Sequence, residues 1–159
     1  MKKKKTCCVI SNDFCNFNYL FLTKTKKEEI NKKFSEALLK IKEKMGVTNF
    51  IMGLEEGAEL VWAEQLLIKE DCSLECALAF EEQASSYSER ERERFFSILE
   101  KCNKITLTAL KRDFGCKNKR DRYMIDKSDI ILCFWDKYSP YTGELLQYAA
   151  ALDKTIYYI

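Results

Sequence analysis

Short apolar segments rich in β-branched residues alternate along the chain with longer segments in which apolar residues recur every three or four positions. The short segments predict buried β-strands and the long ones amphipathic helices. The pattern predicts strands at 6–10, 48–52, 73–80, 105–110, 129–135 and 155–159, and helices at about 26–45, 57–70, 88–102, 118–127 and 142–153. Such alternation is typical of a parallel sheet covered by helices. We therefore predict a Rossmann-like three-layer α/β/α fold with a mainly parallel sheet of about six strands.

The composition is that of one globular domain. Of 159 residues, 47% are apolar and 33% charged, and no repeat, linker-like tract or shift in composition interrupts the sequence. A chain of this length buries about two thirds of the surface that its unfolded form exposes. We predict a basic N-terminal tail at 1–5 and a single domain at 6–159.

The charge and the N-terminal sequence exclude two classes of partner. The net charge is +2, and it becomes −2 without the four lysines Lys2–Lys5, so we expect no basic surface for nucleic acid. The apolar run TCCVI at 6–10 is too short for a signal-peptide core or a membrane span. The prediction is a cytoplasmic protein that binds neither membranes nor nucleic acid.

Eight cysteines and no histidine narrow the available chemistry. Cys7, Cys8, Cys76 and Cys133 lie within predicted strands, which favours buried reduced thiols over a disulfide framework. Without histidine or a CxxC pair, no metal site or other cofactor is predicted. The lack of histidine also excludes Ser-His and Cys-His catalytic pairs, and it leaves general acid–base catalysis to carboxylates, Lys, Tyr and Cys.

Candidate ligand-binding residues follow strands one, two and five. Open parallel sheets bind ligands beyond the carboxyl ends of the strands, where the strand order reverses. After strand two, Gly53 and Gly57 bracket a turn that opens a helix, which suits phosphate binding or simply a tight turn. Glu59, in the first turn of that helix, repels a phosphate but suits a ribose hydroxyl.

The fourth predicted helix and the turn after strand five add further candidates. Arg120 lies near a helix start, and its planar guanidinium suits a phosphate or a carboxylate. The alternative for this segment is an exposed Arg122–Asp126 ion pair. Thr142 is expected to cap the fifth helix, whose free N–H groups would then face an anion. The turn also contributes Asp136, Gly143 and Glu144 to the predicted site.

Four features of the sequence match one family pattern. They are GLEEGAELVWAE at 53–64, AFEEQASSY at 79–87, RDRYMIDKSDIIL at 120–132, and the spacing from Thr142 to Tyr148–Ala149. Together they resemble the YpsA-like branch of the SLOG superfamily, named for the Smf/DprA and LOG proteins, over nearly the whole chain. The resemblance implies a Rossmann-like domain that binds nucleotides or nucleotide-derived ligands at the strand ends, and it implies no particular reaction.

Three ligand loops depart from that family's pattern. After strand one, Ser11, Asn12 and Asp13 replace a usual Gly-His-Arg, and we keep Ser11 and Asn12 as candidate ligand residues. Glu59 replaces a usual aspartate. Before Thr142, Pro140-Tyr141 replaces two glycines, and proline also removes an N–H donor. Each change lowers the expected affinity for phosphate, so the ligand differs from the family's usual one or the pocket is vestigial.

The LOG enzymes hydrolyse the N-glycosidic bond of nucleoside monophosphates with an arginine and a glutamate. Arg120 matches the arginine, but Leu145 stands at the glutamate position, and Glu144 is turned about 100° away on the helix. The prediction is therefore a binding or sensing domain for a nucleotide-like small molecule, without catalytic residues. The alternatives are a phosphoribohydrolase that uses Glu144 or Glu59, and a scaffold with a vestigial pocket. Whether the chain forms a homo-oligomer stays open, because an apolar helix face suits either the core of one chain or an interface between copies.

Overall fold

The computed structural model describes residues 3–11 and 18–159 of the chain, which form a six-stranded sheet and five α-helices. The strands are β1 (Lys5–Ser11), β2 (Val47–Met52), β3 (Ser73–Leu78), β4 (Lys104–Leu107), β5 (Ile130–Phe134) and β6 (Thr155–Tyr158). The helices are α1 (Lys24–Met45), α2 (Ala58–Leu67), α3 (Glu89–Lys101), α4 (Cys116–Asp126) and α5 (Pro140–Ala151), with a short 3₁₀ turn at Gln83–Ser86. The alternation of strands and helices agrees with the prediction.

All neighbouring strands are parallel, in the order β4-β3-β2-β1-β5-β6. The order reverses at β1, which pairs with β2 on one side and with β5 on the other. Ser11 at the end of β1 is aligned with Phe134 at the end of β5. The carboxyl ends of β1, β2 and β5 therefore lie side by side at one edge of the sheet, where such folds bind ligands.

Two apolar clusters cover the two faces of the sheet. The larger one packs side chains of α1, α2 and α3 on one face, and in it Phe34 stacks on Trp62 with ring centroids 4.8 Å apart. The smaller one packs Met124 of α4 and Leu145 of α5 on the other face. This division confirms the predicted three-layer arrangement, because each helix buries its apolar side against the sheet.

The predicted buried cysteines lie in the interior. Cys7, Cys8, Cys76 and Cys133 are inaccessible to solvent, and the seven cysteines in the described part of the chain are free thiols. Burial raises the pKa of Cys8 and of Cys133 to about 12, so these thiols stay protonated and unreactive at neutral pH. Across 3–11 and 18–159, no helix is long and apolar enough to span a membrane.

The start of α5 differs from the prediction. Ser139, not Thr142, caps the helix: the Ser139 Oγ accepts a hydrogen bond from the Thr142 N–H at 3.3 Å. Pro140 takes the first helical position, where its missing N–H and its restricted φ cost nothing. The expectation that Thr142 caps the helix is wrong, because the helix begins two residues earlier than the sequence pattern indicated.

The third strand is shorter than the predicted 73–80. It ends at Leu78, and the N–H of the next residue, Ala79, donates to Oε1 of Gln83 at 2.8 Å. A side chain thus takes the hydrogen bond that a further ladder position would need. The segment 79–87 consequently turns over the carboxyl edge of the sheet, beside the candidate site.

Candidate ligand-binding site

The centre of the carboxyl edge is the guanidinium of Arg120, which is 2% exposed. Its Nη2 donates to Glu55 at 2.7 Å and its Nε to Asp121 at 3.0 Å. Its Nη1 lies 3.3 Å from the Gly53 carbonyl oxygen and 3.3 Å from Oε1 of Gln83. Each of the three guanidinium nitrogens thus donates at least one hydrogen bond within the protein.

The electrostatic surroundings keep Arg120 charged. Burial works against the charge, but the nearby carboxylates of Asp121, Glu55 and Glu59 outweigh it and hold the pKa of Arg120 well above its ordinary value. Two of these carboxylates form direct ion pairs with the guanidinium. A phosphate that approached Arg120 would have to compete with both of them, so binding of phosphate by Arg120 stays a prediction.

Gly53 and Gly57 each have a structural role here. A Cβ on Gly53 would stand 2.9 Å from Cζ of Arg120, closer than side chains tolerate, so the absent side chain makes room for the guanidinium. Gly57 begins α2 with φ 110° and ψ −122°, a conformation that belongs essentially to glycine. These contacts favour the tight-turn interpretation, and ligand contact by either glycine stays a prediction.

Glu59 connects α2 to the end of β1. It is 3% exposed and accepts a hydrogen bond of 2.6 Å from the Ser11 hydroxyl. Burial, assisted by the charge of Glu55, raises the pKa of Glu59 to about 7, although Arg120 and Ser11 act in the opposite direction. A carboxyl with this pKa carries its proton for part of the time at neutral pH, when it also donates hydrogen bonds.

The predicted residues Ser11, Glu59 and Arg120 line a small internal cavity of about 10 Å³, next to Lys117 and Asp121. A cavity of this size holds about one water molecule. The structure therefore brings these three predicted residues together, around a space too small for a nucleotide.

Tyr141, at the start of α5, contacts Asp121, one of the residues that line this cavity. Its hydroxyl donates to Oδ2 of Asp121 at 2.6 Å, which links α5 to α4, and the Lys117 ammonium lies 5.4 Å from the centre of its ring. Burial and the charge of Asp121 raise the pKa of Tyr141 well above its ordinary value. The residue that stands where the related pattern has glycine thus ties α5 to Asp121 and Lys117 of α4.

The remaining predicted residues surround the start of α5. Thr142 is 1% exposed, and its hydroxyl has no hydrogen-bond partner among the residues the structure describes. A Cβ on Gly143 would make an ordinary contact of 3.5 Å with Trp135. Asp136 accepts the N–H of Tyr138 at 2.8 Å and so shapes the turn. The structure places Glu144 on the exposed face of α5, and Asn12 lies outside the described residues.

A much larger cleft opens beside the arginine network. Its volume is about 1230 Å³, and it lies between the segment 79–87 after β3 and the segment 110–114 after β4. Glu55 and Lys117 line both this cleft and the small cavity, and Gln83 lines the cleft while contacting Arg120. The cleft is thus continuous with the network at the carboxyl edge of the sheet.

The lining of the cleft includes residues that the sequence analysis did not single out. Lys111 and Arg112 are basic, Phe114 exposes its whole ring, and Glu81 and Glu82 supply acidic groups opposite. The run KRDFG at 111–115 follows the predicted strand 105–110 directly. It could have indicated this cleft from the sequence, since basic and aromatic residues beyond a strand end suit a ligand. Within the described ranges, no group of three Cys, Asp or Glu side chains is placed to hold a metal ion.

Comparisons with known proteins agree with this architecture. The sequence model of the YpsA family, described as the YspA SLOG family, matches residues 14–156. No curated protein matches the chain. The matched range includes every residue named above for the cleft, and all those named for the network except Ser11, which precedes it.

Proposed function

The chain belongs to the YpsA family of SLOG proteins, and we propose that it binds a nucleotide or a nucleotide-derived small molecule without catalysing a reaction on it. Family membership supports a nucleotide-related binding domain at the family level. The observation that carries the proposal for this chain is the cleft of about 1230 Å³ beside the Arg120 network. Ligand pockets of proteins commonly measure about 300–1,000 Å³, so the volume of this cleft is sufficient for a nucleotide and that of the cavity at Ser11 is not.

The side chains at the mouth of the cleft suit the parts of a nucleotide. Lys111 and Arg112 are exposed cations and supply the charge that a phosphate group needs. Phe114 offers an aromatic face against which a base stacks. The phosphate affinity that the loops after β1 and β5 lack is thus available from the loop after β4.

The arginine network supports the inner wall of the cleft. Arg120 holds the carboxylate of Glu55, which is partly exposed and able to accept hydrogen bonds from ribose hydroxyls. Gln83 donates through Nε2 to the Gly53 carbonyl at 2.8 Å and thereby joins the two loops. In this proposal Arg120 positions the wall and does not contact the phosphate.

The surroundings of the carboxylates support binding without hydrolysis. At the position of the LOG glutamate, Leu145 is buried in the core, and Glu144 is exposed on the other side of the helix. Glu59 is enclosed with Ser11 in a space that admits about one water molecule. Neither carboxylate lines the proposed cleft, where it would need to be to act on a glycosidic bond.

Isothermal titration calorimetry with AMP, ADP-ribose, NAD and adenosine tests the proposal. We expect phosphate-bearing ligands to bind and the double variant Lys111→Ala, Arg112→Ala to weaken them about ten- to a hundredfold, since charged hydrogen bonds contribute about 1.5–3 kcal/mol. Lys119→Ala is the matched control, because Lys119 is exposed on α4 and does not line the cleft. No binding by the wild-type protein, or binding unchanged in the double variant, would contradict the proposal.

A scaffold with a vestigial pocket is the second candidate, and Tyr141 favours it. A large side chain stands where the related pattern has glycine, and its hydroxyl is bonded to Asp121 instead of being available to a ligand. Binding of AMP by Tyr141→Gly, with none by the wild-type protein, would identify this candidate.

The phosphoribohydrolase alternative is tested by chromatography of AMP incubated with the protein. We expect no more adenine release than from the double variant Glu59→Gln, Glu144→Gln.

A further inference from the structure

The edge strand β4 exposes apolar side chains that have no cover in the described part of the chain. β4 pairs with β3 on one side, and no strand within 3–11 or 18–159 pairs with its outer edge. Ile105 is 50% exposed and Leu107 is 39% exposed. An apolar edge with unpaired backbone groups is a template for another strand, and the charged residue of β4, Lys104, is directed inward, since its ammonium lies 3.6 Å from Glu75 on β3.

Phe96 on α3 extends the same apolar surface. Ile105 and Leu107 are aligned with Cys76 and Leu78, which belong to the cluster on the α1–α3 face of the sheet. Phe96 is 56% exposed and packs edge-on against Phe95 with ring centroids 5.4 Å apart. Phe96, Ile105 and Leu107 are thus exposed apolar residues on the same face of the sheet, and we call them the apolar strip.

The orientation of α3 places Phe96 toward the outside of the sheet. Arg94 points to α2, where its Nε contacts Glu64 at 2.6 Å. Side chains two positions apart on a helix diverge by about 160°, so Phe96 lies on the side away from α2. Because α2 lies toward the middle of the sheet, that side is the one above β4.

The charged residues beside the strip are complementary to the same residues in a second copy of the chain. On α3, Arg92 precedes Phe96 by four positions and donates from Nη1 to the Ser85 carbonyl at 3.4 Å, which leaves its other N–H groups for a partner, and Glu100 follows Phe96 by four. When two copies of α3 meet antiparallel with Phe96 at the centre, Arg92 of each copy lies opposite Glu100 of the other. A two-fold interface needs such a surface, since the same patch must fit itself.

We propose that the chain forms a two-fold homodimer through β4 and α3. The two β4 strands pair antiparallel, which continues the sheet across the axis, and the strips of Phe96, Ile105 and Leu107 cover each other. The other edge of the sheet, β6, is a poorer candidate, because its exposed positions are Thr155 and Tyr158. The dimer is independent of the ligand proposal, since none of the strip residues lines the cleft.

Sedimentation velocity over a range of protein concentrations tests the dimer. We expect the wild-type chain to sediment as a dimer and Ile105→Lys to sediment as a monomer with unchanged circular dichroism, since a lysine at an exposed edge position blocks pairing. Tyr158→Lys, the matched change at the other edge, should stay dimeric. A wild-type protein that is monomeric throughout, or a dimer lost in Tyr158→Lys and kept in Ile105→Lys, overturns the proposal.

A charge exchange tests the predicted register independently of folding. Arg92→Glu and Glu100→Arg should each weaken the dimer, because each places like charges across the axis. The double variant Arg92→Glu, Glu100→Arg restores opposite charges and should regain the dimer. A double variant that dimerises as weakly as the weakened single variants would overturn the antiparallel arrangement of α3. Single variants that dimerise as tightly as the wild-type protein would overturn it as well.

Discussion

Replacing Glu59 with glutamine should remove most of the pH dependence of folding stability between about pH 4.5 and 7. In the fold the pKa of Glu59 is about 7, raised by burial and by Glu55, while its ordinary value is 4.5. Between these values the folded protein binds more protons than the unfolded chain, so the free energy of unfolding falls as the pH rises. The destabilisation caused by deprotonating Glu59 in the fold is absent below pH 4.5 and complete above pH 7.

The size of the effect follows from the same two values. One pH unit of difference corresponds to about 1.4 kcal/mol, so deprotonating Glu59 in the fold costs about 3 kcal/mol. Glutamine has no charge to desolvate and keeps an oxygen that accepts from Ser11. We therefore expect Glu59→Gln to match the wild-type stability near pH 4.5 and to exceed it by up to about 3 kcal/mol at pH 8.

Urea unfolding followed by tryptophan fluorescence at several pH values from 4.5 to 8 measures this difference. The chain has no histidine to titrate in this range, and Glu64, whose pKa burial also raises, contributes equally to the wild-type protein and the variant. Glu70→Gln, at an exposed position of the same residue type, is the control and should follow the wild-type curve. Equal slopes for the wild-type protein and Glu59→Gln would refute the reasoning.

Three further changes test the packing around the same edge of the sheet, each by urea unfolding. Gly53→Ala should destabilise the fold by about 1–3 kcal/mol, because the new Cβ meets the held guanidinium of Arg120, and an unchanged midpoint would contradict that contact. Arg120→Met should cost about 3–5 kcal/mol, since it removes the ion pairs of the buried Asp121 and the partly exposed Glu55, and a loss under about 1 kcal/mol would show that both carboxylates are solvated. Thr142→Val should leave stability equal or raise it by about 1 kcal/mol, because the Thr142 hydroxyl is buried without a partner in the described part of the chain, and a clear loss would reveal a further hydrogen bond.

The fold was predictable because it depends on periodicity. Strands buried on both faces appear as continuous apolar runs, and helices that cover them show one apolar side, so both kinds of element were found from the sequence. The resemblance to the YpsA-like branch is confirmed by the family match over 14–156. The residues at the ends of β1 and β2 were also located, since strand ends follow from the strands and Ser11, Glu59 and Arg120 do meet there.

What the sequence left undecided depends on pairing between distant side chains. It placed Arg120 at the right edge but not its partners Glu55 and Asp121, which neutralise it within the fold. It indicated Thr142 as the cap, whereas the position of Pro140 assigns the cap to Ser139. The electrostatic role of a charged group is decided by the groups within a few ångströms of it, and those come from other loops.

The same reason explains why the cleft and the exposed edge were not found. A cavity exists only between segments that the fold brings together, here 79–87 and 110–114, and neither segment shows it alone. An apolar residue in a strand looks the same in the centre of a sheet and at its edge. Local periodicity therefore determined the elements of this protein, while only the order of its strands decided which surfaces are buried and which remain for a partner or a ligand.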